Sequence, residues 1–380
     1  MKEKVLLVDD DAMVLAGLKR QLRNQFSVDT ALSGEDALNQ VLENGPYAVI
    51  VSDFMMPGMN GIEFLSRVKK SNPDTVRMML IGTADMPTAI RAVNEGSIFQ
   101  FHPKPCPADT LCQAIQSAIG EYRKVISDQN QLKNFKSSLA QASEVQQKLM
   151  PKSDPRVDGF DIAGRSVWCD ETGGDYYDFL YPAANGHKRI GIVVGDVTHH
   201  GIPSALLMTT ARAFVRERVQ TLPSECAAII SDVNKRLVRD VEELNLFMTM
   251  FYSEIDIKEK MIRWVKAGHE PAILYTPATD SYELLAGEGL PLGVMEDAVY
   301  TELQKQILSG QIILIGTDGI KEAVDTHGEM FGKERLLNVI RDYAEQPARE
   351  ILDKVFESLN DFRHPLEPDD DETLVVIKAL

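Results

Sequence analysis

The sequence predicts two folds in one chain: an α/β, doubly wound, parallel five-stranded sheet, then, after a helical linker, an α+β domain of packed sheets. Three observations lead there. Over residues 1–122 short apolar runs at 5–8, 27–30, 48–52, 78–81 and 98–102 alternate with amphipathic stretches, the pattern of an open parallel sheet with helices on both faces. Residues 108–150 then hold a helical apolar spacing of three and four. From 159 onward strand-like runs follow one another at 160–166, 176–180, 189–194, 248–255, 261–265, 272–275 and 311–315, with a last at 373–378. Helical stretches are grouped at 203–240 and 333–362, the ordering of an α+β domain. The expected division is 1–122, a helical linker over 123–158, and 159–380.

In the linker, Leu111, Ile115, Ala118, Tyr122 and Val125 are continued by Gln129, Leu132, Phe135, Leu139, Ala142, Val145 and Leu149, with a slip near Phe135. This reads either as a coiled-coil seam joining two copies in a homodimer, or as a helix packed on its own domains. Pro151 and Pro155 punctuate its end.

A length of 380 residues exceeds one ordinary core. A net charge of −17 argues against nucleic acid as a general partner. Cys106, Cys112, Cys169 and Cys226 show no Cys-x-x-Cys spacing and read as reduced thiols of a cytoplasmic protein. The chain opens directly into a strand pattern without a signal peptide, and no apolar run approaches membrane-spanning length, so no membrane partner is expected.

The strand ends of the first region carry its chemistry. Asp9 and Asp10 end the first strand, Asp53 the third, and Lys104 follows the fifth. In a doubly wound sheet these reach one edge, where ligands bind. Two carboxylates there can hold Mg²⁺ while a third attacks a phosphoryl donor, and the lysine can pair with the product. Pro57-Gly58-Met59-Asn60-Gly61 supplies a turn beside them. The stretch resembles the receiver domains of two-component response regulators. The resemblance implies Asp53 as phosphoacceptor, with Asp9, Asp10, Asp53 and the Met55 carbonyl around Mg²⁺. It implies Lys104 as the paired lysine, a cis proline at Pro105 and Phe101 as the switch aromatic. It also implies a histidine kinase or phosphotransfer protein as partner. Ile81 stands where receivers carry Thr or Ser, so no hydroxyl meets the phosphoryl group there unless Thr83 reaches it.

The second region carries four separated aspartates, Asp175, Asp196, Asp318 and Asp370, mostly at the ends of apolar runs. Carboxylates that converge repel one another and suit a hard cation such as Mg²⁺ or Mn²⁺. Their settings stand in order: Val145-Gln146-Gln147-Lys148-Leu149-Met150-Pro151, Gly173-Gly174-Asp175-Tyr176-Tyr177-Asp178-Phe179, Gly195-Asp196-Val197, Ala205-Leu206-Leu207-Met208, Ala267-Gly268-His269-Glu270-Pro271, Pro291-Leu292-Gly293, Thr317-Asp318-Gly319 and Asp370-Asp371-Glu372-Thr373. The ordered set resembles the metal-dependent PPM (type-2C) serine/threonine phosphatases, in the branch of stage II sporulation protein E and the stress-response phosphatases.

That resemblance implies two packed antiparallel sheets flanked by helices, and two Mn²⁺ or Mg²⁺ ions bridged by Asp196. Asp175 and the Val197 carbonyl would complete one ion's shell, Asp318 and Asp370 the other's, with Asp371 competing for the last role. Water activated between such ions attacks a phosphoester in line. Asp178 is a candidate outer residue, or simply a partner of a backbone turn, and Asp371 is the other outer candidate. The resemblance further implies a phosphorylated anti-sigma-factor antagonist as substrate, with receiver phosphorylation controlling its hydrolysis and residues 138–150 placed to control metal occupancy. The alternative is a non-catalytic adaptor that binds a sigma factor or its regulator.

His199 replaces the family's usual glycine, which implies a changed loop or an ordinary backbone at His199. The His199-His200 pair has no third nitrogen or sulfur ligand near it in sequence, which argues against a transition metal. His269 reads as a structural support and not as a general acid.

Overall fold

The computed structural model describes residues 2–82, 98–182, 188–221 and 225–380. By its contacts the chain divides into two units, 1–136 and 137–380.

The first unit holds β1 (Lys4–Val8), α1 (Ala12–Leu22), β2 (Ser27–Ala31), α2 (Gly34–Asn44), β3 (Val49–Asp53), α3 (Gly61–Ser71), β4 (Val76–Ile81) and β5 (Gln100–Pro103). The strands pair in parallel in the order β2-β1-β3-β4-β5. Alternation along each strand feeds two cores: Val5, Leu7, Val49 and Val51 face one way, and Leu6, Val8 and Ile50 the other. Helix starts are set by side-chain caps. Asp11 accepts the N–H groups of Met13 and Val14, Ser33 that of Asp36, and Asn60 that of Glu63.

Helix α4 (Ala108–Leu149) begins in this unit, where Leu111, Ile115 and Ala118 are fully buried in its core. Further along, Leu132 and Phe135 are exposed. Its residues from Ser137 onward belong to the second unit.

That unit contains two antiparallel sheets. One, in the order β14-β11-β10-β9-β8, is built from β8 (Tyr176–Leu180), β9 (Arg189–Val197), β10 (Met248–Asp256), β11 (Met261–Ala267) and β14 (Leu303–Gln306). The other, β13-β12-β15-β16-β7-β6, is built from β6 (Arg156–Val157), β7 (Phe160–Val167), β12 (Ala272–Thr276), β13 (Ser281–Leu285), β15 (Ile312–Gly316) and β16 (Glu372–Ala379). Both strand faces are apolar because each sheet is covered twice. On β10, Phe251 and Ile255 enter the core between the sheets, while Met248, Met250 and Tyr252 face α5 (Ile202–Thr221) and α6 (Cys226–Val241). On β16, Val375 and Ile377 point to the central core, while Leu374 and Val376 meet α7 (Gly319–Glu322), α8 (Gly332–Asp342) and α9 (Ala348–Arg363).

The two grouped helical stretches expected at 203–240 and 333–362 are thus each a pair of helices. Strands β6, β13 and β14 had no counterpart among the expected runs. All four cysteines are free, and no helix among the described residues is long and apolar enough to cross a membrane.

Candidate active site

Strand pairing explains how distant aspartates meet. Across β8 and β9, Tyr176 lies opposite Gly195, so Asp175 and Asp196 fall at one strand end. Across β15 and β16, Gly316 lies opposite Leu374, so the segments carrying Asp318 and Asp370 leave the second sheet side by side. Two glycines allow the close approach. A Cβ on Gly174 would sit 3.1 Å from the Val197 carbonyl oxygen, and one on Gly319 only 2.2 Å from that of Asp371. Thr317 ties the sheets together: its hydroxyl donates to Asp175 Oδ2 at 2.8 Å and accepts the Thr373 N–H at 3.0 Å.

The electrostatics are those of carboxylates forced together. Burial, and then the charges of Asp318, Asp370 and Asp371, push Asp196 up to about 8. Burial, and then Asp196 and Asp371, raise Asp175 well above the usual carboxylate range. Asp175 Oδ1 is buried with no hydrogen-bond partner. A lone buried carboxylate oxygen among acidic neighbours costs free energy unless a cation meets it. The donors on offer are all oxygen, which fits a hard dication. The arrangement is broader than a single compact triad. The triads of ligand atoms within 4.8 Å of one another among the described residues lie elsewhere, at Asp9/Asp10/Asp53 and Cys169/Asp170/His200.

Asp370 and Asp371 differ sharply. Asp371 is buried, and its oxygens accept the N–H groups of Cys169 at 2.9 Å, Gly174 at 2.7 Å and Asp175 at 3.2 Å. It therefore shapes the turn that presents Asp175. Asp370 accepts only its neighbour's N–H, from Asp371 at 2.8 Å. Asp318 accepts the N–H of Gly319 at 3.0 Å. Asp178 turns to other partners: Oδ2 accepts from Tyr176 at 2.8 Å and Arg216 at 3.0 Å, and Oδ1 from the Phe179 N–H at 2.9 Å. The backbone bond matches one reading of the sequence; the arginine pairing was missed.

Sequence reasoning gave no individual role to Gln146. Near the end of α4 it is buried, donates to the Gly173 carbonyl at 2.7 Å and accepts the Gly173 N–H at 3.1 Å. The only signal was its place in the Val145–Pro151 motif. His269 is fully enclosed, its Nδ1 is 2.7 Å from the Thr249 hydroxyl, and burial pushes its pKa down to about 3. It stays neutral and props β10 at Thr249, which lies opposite Asp196.

One expectation about the histidine pair is corrected. His199 does not take an ordinary backbone but sits in the left-handed region, at φ 65°. A Cβ on Gly174 would come within 3.4 Å of the His199 carbonyl oxygen, and the Ser204 hydroxyl donates to the Thr198 carbonyl at 2.9 Å. His200 lies beside Cys169 and Asp170, a group that does not include His199.

In the first unit, Lys104 Nζ bridges Asp53 Oδ1 at 2.6 Å and Asp9 Oδ2 at 2.7 Å, and Asp10 completes the acidic triad. Burial raises Asp53, with Lys104 acting against it. Met55 lies in the loop after β3, and the Lys104–Pro105 peptide is cis. Ile81 is fully buried in the apolar cluster that Phe101 packs against, and its carbonyl accepts the Lys104 N–H at 2.7 Å. Thr83 lies outside the described residues.

Residues 186–380 match the family described as Stage II sporulation protein E (SpoIIE), and residues 5–116 match the response regulator receiver domain. The chain belongs to the SpoIIE family. It is 29% identical over 247 residues to the phosphoserine phosphatase RsbU of Bacillus subtilis, which covers 64% of this chain and 70% of that protein. The phosphoserine phosphatase RsbP of the same organism is 27% identical over 249 residues, 64% of this chain and 58% of RsbP. The SiaA-PP2C domain of Pseudomonas aeruginosa superposes with a TM-score of 0.56 at 23% identity, covering 65% of this chain and 98% of that one. That likeness establishes a shared fold. An N-terminal receiver domain therefore precedes a SpoIIE-type phosphatase domain homologous to phosphoserine phosphatases.

Proposed function

We propose that this protein is a response regulator whose output is metal-dependent hydrolysis of phosphoserine or phosphothreonine on a partner-switching protein such as an anti-sigma-factor antagonist. The observation that carries this reading is the unpartnered Asp175 Oδ1, buried among carboxylates at the meeting of two sheets. Asp175, Asp196, the Val197 carbonyl, Asp318 and Asp370 would hold two Mn²⁺ or Mg²⁺ ions. When bound, such ions supply activated water and neutralise the charge that develops on phosphorus. The chain's own part is placement. Asp371 and Gln146 hold the Gly173-Gly174-Asp175 turn from two sides, and Thr317 orients Asp175. His269, enclosed and paired with the Thr249 hydroxyl, would act as a support for β10 and not as a general acid.

In the receiver, Asp53 would accept the phosphoryl group from a histidine kinase or phosphotransfer protein, with Mg²⁺ held by Asp9, Asp10, Asp53 and the Met55 carbonyl. Lys104, already between Asp53 and Asp9, would follow the new charge. The exposed Leu132 and Phe135 of α4 suit a helix pairing in a homodimer.

The test uses the purified full chain with an aryl phosphate or a phosphoprotein. Turnover is expected only with Mn²⁺ or Mg²⁺, and Asp318→Asn should abolish it while leaving the thermal unfolding profile intact. A variant as active as the parent sinks the assignment. Absence of turnover in the parent, with partner binding retained, points to an adaptor.

A further inference from the structure

The loop between β7 and β8 carries Cys169 and Asp170, and the loop between β9 and α5 carries His200. The Cys169 sulfur, an Asp170 carboxylate oxygen and a His200 ring nitrogen all lie within 4.8 Å of one another. His200 Nδ1 stands 2.6 Å from Asp170 Oδ2. We propose that Cys169, Asp170 and His200 form a cation site separate from the all-oxygen cradle, selective for a borderline-soft ion such as Zn²⁺.

The donor set decides the metal class. A sulfur, an imidazole nitrogen and one carboxylate oxygen suit Zn²⁺, whereas Mg²⁺ and Mn²⁺ take oxygen shells. Bonds of about 2.0–2.3 Å to a tetrahedral ion place its ligand atoms about 3–4 Å apart, so small side-chain rotations would close the group. Asp170 and His200 are exposed, which leaves the fourth position to water. The local field is negative as well: beyond Asp170, the charges of Asp370 and Asp371 act on His200 and favour its cationic form. Burial, and then Asp371, push the Cys169 thiol up to about 12, so without an ion the sulfur keeps its proton. A dication reverses that preference and releases the proton to solvent.

The position gives such an ion leverage. Cys169 donates its N–H to Asp371, whose other oxygen holds the Gly174 and Asp175 N–H groups. His200 follows closely on Asp196 and Val197. An ion here would staple the two loops that present Asp175 and Asp196.

The test is a Co²⁺ titration of the full chain saturated with Mn²⁺, followed by Zn²⁺ competition. A thiolate-to-cobalt charge-transfer band in the near ultraviolet is expected, removed by one equivalent of Zn²⁺. Cys169→Ser should abolish the band, while the double variant Cys106→Ser/Cys112→Ser keeps it. His200→Asn, at an exposed position that leaves folding intact, should weaken uptake tenfold or more. The band should persist in Asp318→Asn, which separates this site from the proposed hydrolysis. Absence of the band in the parent, its survival in Cys169→Ser, or unchanged affinity in His200→Asn overturns the proposal.

Discussion

Replacing Gln146 by alanine is the sharpest probe of how the linker reaches the phosphatase site. The side-chain amide makes two bonds to one peptide group, donating to the Gly173 carbonyl at 2.7 Å and accepting its N–H at 3.1 Å. Truncation removes both and leaves a buried donor and a buried acceptor without partners. At about 1 kcal/mol for each lost bond and up to about 3 for an orphaned group, with water refilling part of the gap, the turn loses roughly 2–4 kcal/mol. Every 1.4 kcal/mol is about a tenfold change, so the turn's formed state weakens by roughly 30- to 1000-fold relative to its opened states. Where the opened states become populated, apparent ion affinity falls by the same fraction. The assay is calorimetric titration of Mn²⁺ into the full chain, with thermal unfolding as the folding control. A tenfold or larger loss of affinity is expected. Gln146→Glu should do no better, because it keeps the acceptor but sets a carboxylate against the Gly173 carbonyl. A folded Gln146→Ala protein that binds Mn²⁺ within twofold of the parent would refute the reasoning.

Four further outcomes follow from the same geometry. Asp370→Asn should reduce Mn²⁺ affinity while leaving metal-free stability unchanged or higher. Asp371→Asn should instead cost about 1–3 kcal/mol in urea unfolding, because the amide keeps one acceptor oxygen and sets its NH2 group against either the Cys169 N–H or the Gly174 and Asp175 N–H groups. His199→Gly should stabilise the protein by roughly 1 kcal/mol, since it relieves a left-handed backbone at φ 65°; a destabilised variant would show that the ring contributes more than the strain costs. His269 is held near a pKa of about 3 by burial, below its ordinary value, so the folded state binds fewer protons than the unfolded. Its contribution is intact above the ordinary histidine range and is lost as pH falls toward 3, about 2 kcal/mol by pH 5. Unfolding curves of His269→Asn against the parent at pH 7.5 and about 5 should show that difference disappear from the variant.

What the sequence revealed depended on whether a residue's role was local. Strands buried on both faces, such as β9 and β16, are continuous apolar runs and were legible. The edge strands β13 and β14 were not: β13 is exposed at four of its five positions and β14 reads Leu-Gln-Lys-Gln, so neither shows a core-facing pattern. The aspartates stood out because their motifs surround them in sequence. Gln146 and Thr317 stood inside quoted motifs, yet their partners lie 27 and 142 residues away, and only the folded sheets bring them into reach. The Cys169/Asp170/His200 group was hidden in the same way, because its two halves sit on separate loops.

The two acidic centres solve one electrostatic problem in opposite ways. In the receiver the cation is covalently part of the chain: Lys104 lies 2.6 Å from Asp53 and 2.7 Å from Asp9, and although burial opposes its charge, those carboxylates raise its pKa. Burial still raises Asp53 against the pull of that lysine, and Ile81 ties its backbone to Lys104 while its side chain fills the core. Ile81 offers no hydroxyl, so a change of charge at Asp53 would be met first by Lys104, 2.6 Å away. In the phosphatase domain the strongest influences on Asp196 after burial are other carboxylates, and it is driven up to about 8. Protonation is favoured there by burial and mutual repulsion, and the dications proposed above would displace those protons, so whatever steadies the turn at Asp175 would also affect that exchange. Gln146 lies in α4, the helix that begins within the receiver unit, and its amide is bonded to that turn. A regulatory group acting through that bond would need no contact with the reacting phosphate.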